Sequence, residues 1–332
     1  MTSSAISMPQ RTTAEVEWQR AANPTDTALP ATNPVVEAIL DRLPALPAGA
    51  VVLDLACGTG VPAFVLAQAR PELAVLGVDV TPALIDQARV KARENSVRNV
   101  RFEVMSVDHL DLPDQSMNAA VSHFGLLAEG DVAASGRELA RVLAPGAPFS
   151  LAVFDDMELN TLMSAIARTL AAHVPPDTLP DFGYLTQLAA PGLREQVLRE
   201  SGLEQLHSEI FSWSVPLPSF DVVWQVASGP VPFGRAFAAL DGDGASRVRS
   251  ELEDAVSQYR AEDGAFAFPM ACRLLWGRKL RAKSKQRATL ATLARPGRVA
   301  PPASWGHAGG GLGRLELVEE VADVGGQQVG DL

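Results

Sequence analysis

The chain has 332 residues, of which 47% are hydrophobic and 20% charged. That length can bury a full core, and no apolar run approaches the roughly 18 residues that span a bilayer, which argues against a membrane-spanning protein. A net charge of −11 and only two cysteines, Cys57 and Cys272, argue against a nucleic-acid partner and against a disulfide-held secreted scaffold.

The first residues, 1–33, are polar and broken by Pro9, Pro24 and Pro30. They lack the basic-then-apolar pattern of a signal peptide, so a cytoplasmic location is expected. They read as an arm or flap carrying Trp18, able to exchange between subunits of a homo-oligomer. Asn33 and Pro34 then open a helix with Val35, Val36, Ile39 and Leu40 at helical spacing. From residue 51 strands and helices alternate. Strands are predicted at 51–55, 74–78, 100–105, 119–122 and 148–154, with helices at 62–69, 82–95 and 131–143. This alternation predicts an α/β, Rossmann-like, doubly wound sheet covered on both faces.

The pattern changes after Asp155. A helix over 157–173 and a Pro-rich loop to Tyr184 predict a helical cap inserted after strand five, at about 157–186. Further helices are expected at 191–201, 220–225 and 246–259, and last strands at 204–215 and 268–276. Residues 34–280 form the expected domain. Residues 281–332, basic and then rich in Pro, Gly and Ala, read as a disordered tail.

The strongest signal is Asp54-Leu55-Ala56-Cys57-Gly58-Thr59-Gly60, a buried strand running through a glycine turn into a helix. Glycine lets the backbone come close to a ligand, and the helix start offers unpaired N–H groups. Asp79 ends the next strand, where an acid can accept both hydroxyls of a ribose. The run from Gly58 to Ala63 also satisfies the dinucleotide pattern G-x-G-x-x-A. Two residues oppose that reading. Asp54 repels a pyrophosphate but attracts an ammonium, and Pro62 removes an N–H a pyrophosphate would use.

These residues resemble the first motif of class I S-adenosylmethionine-dependent methyltransferases. Leu76-Gly77-Val78-Asp79 resembles the family's second motif. The stretch Ser106 to Asp114, followed by Asn118 to Ser122, resembles its third and fourth. Arg141-Val142-Leu143-Ala144-Pro145-Gly146 is similar to a further family signature. Ser122-His123-Phe124-Gly125-Leu126 is similar to the small-molecule branch that contains ubiquinone and menaquinone C-methyltransferases.

The resemblance implies S-adenosylmethionine as cofactor, held by Asp54, Ala56, Cys57, Gly58, Gly60, Asp79, Val80, Ser106, Val107, Asp108 and Ser122. One departure is at Ser106-Val107, where the family usually has Asp-Ala facing the adenine. Ser106 offers a weaker neutral bond, and Asp108 is the alternative. Cys57 is expected to contribute its backbone rather than a nucleophilic thiol.

The acceptor is expected above strands four and five. His123 is the first candidate for a base or orienting group, with Asp155 beside it and His173 and Tyr184 on the cap. Phe124, Phe154, Phe182, Trp18, Trp213 and Trp224 are the candidate pocket walls. No histidine or acid spacing matches a metal site. Acidity and the absence of an Asn/Asp-Pro-Pro-Tyr/Phe run after strand four favour a small-molecule acceptor, with carbon methylation ahead of oxygen and nitrogen. An Ala-, Pro- and Arg-rich composition fits bacterial specialised metabolism. The alternatives are a nicotinamide oxidoreductase, for which a Tyr with a Lys four residues on is lacking, and a non-catalytic or cyclase-type S-adenosylmethionine-binding protein.

Overall fold

The computed structural model of the chain describes residues 33–126, 131–180, 182, 188, 190–229 and 232–281, all within one compact unit. The expected arm and tail, with Trp18 and Tyr184, lie outside the described residues, Asn33 and Arg281 apart.

The apolar runs become the strands β1 (Val51–Leu55), β2 (Ala74–Asp79), β3 (Val100–Val104), β4 (Ala119–His123) and β5 (Pro148–Val153), all parallel. Two long strands, β6 (Leu203–Leu217) and β7 (Phe266–Lys279), complete a sheet of order β3-β2-β1-β4-β5-β7-β6. β7 runs antiparallel to both β5 and β6, so the sheet is mixed at this edge. Strand order reverses between β1 and β4, and in open sheets of this kind ligands bind at the carboxyl ends of the strands beside such a point.

Helices cover both faces. On one, α4 (Val132–Val142) and α6 (Leu193–Glu200) bring Leu139, Val142 and Leu198 onto Leu53, Leu55, Phe149 and Leu151. On the other, α2 (Val61–Ala69) and α3 (Pro82–Glu94) supply Ala63, Leu66, Ile85 and Ala88 against Val52, Val75 and Phe102. Also on that face, α1 (Asn33–Asp41) lays Val35 and Ile39 on Val121, Ala152 and Leu274.

The cap extends beyond the insert expected at 157–186. β5 pairs with β7 only as far as Val153 opposite Arg273, while the β6–β7 ladder continues to Leu217 opposite Phe266. The overhanging end carries a second core. Val215, Phe266 and Phe268 pack with Leu162, Ile166 and Leu170 of α5 (Thr161–Ala171), Val223 of α7 (Phe220–Ala227) and Val248, Leu252 and Val256 of α9 (Gly244–Val256). The short α8 (Gly234–Ala238) closes it with Ala236. Two separate segments build the cap because the apolar face of α5 needs α7 and α9 to bury it.

Candidate functional site

The turn after β1 is built around two carboxylates. Asp54 is fully buried; its Oδ2 accepts the Ala63 N–H at 3.0 Å, and its Oδ1 has no partner. Burial pushes its pKa up to about 8, against the lowering effect of the Ala63 bond, and the nearby Asp79 adds to the rise. Asp79 holds the turn from β2, where its Oδ2 accepts from Gly58 N–H and its Oδ1 from Thr81 N–H, both at 2.9 Å. The Thr81 side chain bonds the same carboxylate. Burial raises its pKa too, although these three bonds oppose the shift.

The glycines serve different needs. Gly60 has φ +88°, and a Cβ there would lie 2.6 Å from the Phe102 ring, so β3 fills the space behind it. Gly58 has φ +55° with nothing within 4 Å of a Cβ position, so the space over its backbone is open. Ala56 also adopts a left-handed φ of 52°. Cys57 N–H donates to Val78 O at 2.9 Å, and its sulfur packs against Gly77. Burial, reinforced by Asp54 and Asp79, holds the Cys57 thiol well above its usual pKa.

Val80, next to Asp79, is an exposed apolar side chain. In the loop after β3, half-buried Ser106 donates to Asp108 Oδ1 at 2.5 Å, with half-buried Val107 between them. The two residues weighed as alternatives thus form one hydrogen-bonded unit. Arg141 fixes this loop from α4: its Nη1 donates to Leu112 O and Asp114, and its Nη2 to Leu110 O and Glu138.

At the end of β4, Ser122 is fully buried, donating to Leu55 O at 2.7 Å and accepting Leu126 N–H at 3.0 Å. Its hydroxyl ties β4 to β1. His123 follows with a buried Nε2 that has no partner, and burial lowers its pKa to about 4, so its ring is neutral at pH 7. The His123 ring lies 4.5 Å from Phe124, which stacks on Phe154 at 4.5 Å.

Asp155 is buried and engaged by two arginines. Its Oδ1 accepts from Arg194 Nη1 at 3.3 Å and its Oδ2 from Arg273 Nε at 2.8 Å. Arg194 also donates to Phe154 O at 2.5 Å. Its charge joins the end of β5 to α6 and β7. Neither arginine was legible as a partner, because a charge on an amphipathic helix or in a loosely alternating strand reads as solvated.

The cap residues are engaged with one another. His173 Nε2 meets Glu251 at 2.7 Å and links the end of α5 to α9. Phe182 meets Phe233 edge-on at 6.0 Å, and Trp224 meets Phe237 edge-on at 5.4 Å, both in the second core. Trp213 packs against that core and also against the α1 cluster with Phe124. Among the described residues no three potential metal ligands cluster, and no helix is long and apolar enough to cross a membrane.

Known proteins resemble the chain over a range that includes this turn. Residues 52–146 fit the family model of a methyltransferase domain. A demethylmenaquinone methyltransferase of Deinococcus radiodurans is 34% identical over 125 residues, 38% of this chain and 51% of that protein. A ubiquinone/menaquinone biosynthesis C-methyltransferase of a Geobacter strain is 28% identical over 167 residues, 43% of this chain and 71% of that protein. The chain spans about half or less of the length of the first relatives it matches. Among solved structures, a methyltransferase assigned to an antibiotic biosynthesis pathway of Anabaena variabilis shares the fold, with a TM-score of 0.52, 17% identity and coverage of 73% of this chain and 96% of that one. A phosphoethanolamine N-methyltransferase of Haemonchus contortus, bound to S-adenosylhomocysteine, has a TM-score of 0.51 at 16% identity, covering 82% of this chain and 62% of that one. Residues 52–146 thus carry a methyltransferase domain, and the chain resembles the class I S-adenosylmethionine-dependent methyltransferases and shares their fold.

Proposed function

We propose that the chain moves a methyl group from S-adenosylmethionine to a small aromatic or apolar acceptor, with carbon favoured over oxygen and nitrogen. The observation that carries this reading is the unpartnered Asp54 Oδ1 at a turn whose Gly58 faces open space. A buried oxygen without a donor fits an ammonium group. Asp79, a carboxylate at the end of β2, fits a ribose diol. Ser106, Asp108 and the exposed Val80 fit a flat base beside it. The cofactor, when bound, supplies a methyl group on a positively charged sulfur, and transfer needs no acid for the leaving group.

The protein's part is then positioning and exclusion of water. The stacked Phe124 and Phe154 provide an apolar wall on which a flat acceptor can lie. Neutral His123 is the group to accept a proton from the acceptor at its free Nε2. The carbon preference follows the names of the menaquinone and ubiquinone relatives. A role in specialised metabolism follows composition and analogy. Incubation with S-adenosylmethionine carrying a carbon-13 methyl group, and a panel of indoles, phenols, quinols, 2-oxo acids and amines, tests the proposal. A labelled product identifies the methylated atom by its carbon shift. If S-adenosylhomocysteine binds but no product forms, the proposed acceptor class is contradicted.

A further inference from the structure

β3 lies at one end of the sheet, and among the described residues only β2 pairs with it. Asn99 O accepts the Val75 N–H at 2.8 Å and Met105 N–H donates to Asp79 O at 3.0 Å, so Asn99 and Met105 turn their backbone toward β2. Backbone direction alternates along a strand, and Val100, Phe102 and Val104 therefore turn theirs outward. An open edge of this kind is a template for another extended chain.

A groove follows this edge. One cavity, of about 560 Å³, is lined by Arg89, Arg101, Phe102, Glu103 and Val104. It shares Arg89, Arg101 and Phe102 with a second, of about 450 Å³, to which Arg93 and Arg98 are added. Four arginines and one acid thus line the groove, on a chain whose net charge is −11. Among the described residues no ion pair engages Arg93, Arg98 or Arg101. Arg89 lies along the edge itself: its Nε donates to the outward carbonyl of Phe102 at 3.0 Å, and its Nη1 meets Asp86 at 3.2 Å. Val104, at the far end, is 45% exposed.

We infer that the open edge of β3 is a docking surface for an acidic, extended segment of a partner protein, which joins the sheet as a further strand. The outward N–H and C=O groups bond the segment's backbone, and the arginines pair with its side chains. Charges along an edge repel most strands; here the guard is almost wholly cationic, so it admits an acidic one. Arg89 links the two kinds of recognition. A carboxylate that draws its guanidinium away frees the Phe102 carbonyl for the incoming backbone. A compact anion would meet the arginines and leave the strand edge unused. The opposite edge strand, β6, carries Glu204 and Glu209 and neither Lys nor Arg, so the same segment is repelled there.

The probe is an acetylated, amidated heptapeptide of alternating glutamate and valine, added to the full chain. Its controls are the same peptide with lysine for glutamate, the acidic peptide N-methylated throughout, which keeps its charge but has no N–H to give, and inorganic triphosphate. Affinity is measured by calorimetry and the site by amide hydrogen exchange. The acidic peptide is expected to bind saturably and to slow exchange over β3 but not over β6. The lysine and N-methylated peptides bind about tenfold more weakly or worse. Arg98→Glu with Arg101→Glu weakens the acidic peptide by a similar factor, strengthens the lysine peptide and melts as the wild type does. No binding of the acidic peptide overturns the inference, as does protection away from β3. Equal binding of the N-methylated peptide overturns strand pairing, and triphosphate binding as tightly as the peptide marks a small-anion site instead. Unchanged affinities in the double variant overturn it as well. If that variant does not fold, the peptide comparison on the wild type still decides.

Discussion

A methyl group on Gly125 would lie 2.2 Å from the Cβ of Ala56, so the turns after β1 and β4 meet with no room between them. Ala56 is held at φ 52° and Phe124, beside Gly125, at φ 64°. Left-handed backbone at non-glycine residues is costly and persists where packing enforces it. Gly125→Ala should destabilise by about 1–3 kcal/mol through overpacking. Ala56→Gly should be close to neutral, and Ala56→Gly with Gly125→Ala should recover much of the loss. Denaturant midpoints of the four proteins measure this coupling, and simple additivity would contradict the close contact.

Asp54 makes stability depend on pH. Its folded-state pKa, about 8, lies above the ordinary 3.8, so between those values the folded protein keeps a proton that the unfolded chain has released. The group's contribution is full below the unfolded pKa and is lost as pH rises through 8. Asp54→Asn should flatten the stability curve over this range. An ammonium at Oδ1 pulls the pKa down, so S-adenosylhomocysteine binding at pH 7 should release up to one proton. Calorimetry in phosphate and in Tris buffer should give different apparent enthalpies for the wild type and equal ones for Asp54→Asn.

Arg194 is buried against Asp155, and burial lowers its pKa despite that partner. Arg194→Met leaves the Asp155 charge short of one donor, with Arg273 still in place. Loss of one partner from such a buried pair costs about 3–5 kcal/mol. Thermal melts should show the drop in Arg194→Met, and a much smaller one in Arg168→Met, whose pair with Glu158 is exposed.

His123 is neutral above pH about 4. If it takes the acceptor's proton, the acid limb of the kcat/KM profile lies near 4 rather than 6.5, and His123→Phe lowers kcat by about 10²–10⁴. A limb near 6.5 that survives in His123→Phe would assign the base elsewhere.

The central sheet and its glycine turn were legible because the signal is local. Short apolar runs, Thr81-Pro82 and the turn from Asp54 to Gly60 each declare themselves within a few residues. The cap was half legible: α5 was visible, but its partners α7 and α9 come from a segment some fifty residues on. The roles of Asp155 and Ser122 were hidden for the same reason. Asp155 is set by Arg194 and Arg273, and Ser122 by the Leu55 carbonyl, none of them near in sequence.

Titration of S-adenosylhomocysteine into the wild type, Asp54→Asn and Asp79→Asn tests the assignment of the glycine turn most directly. One ligand should bind per wild-type chain, and each substitution should weaken binding by about 1.5–3 kcal/mol, the worth of a hydrogen bond to a charged group. Absence of saturable binding to the wild type, or equal affinity in all three folded proteins, would contradict the account.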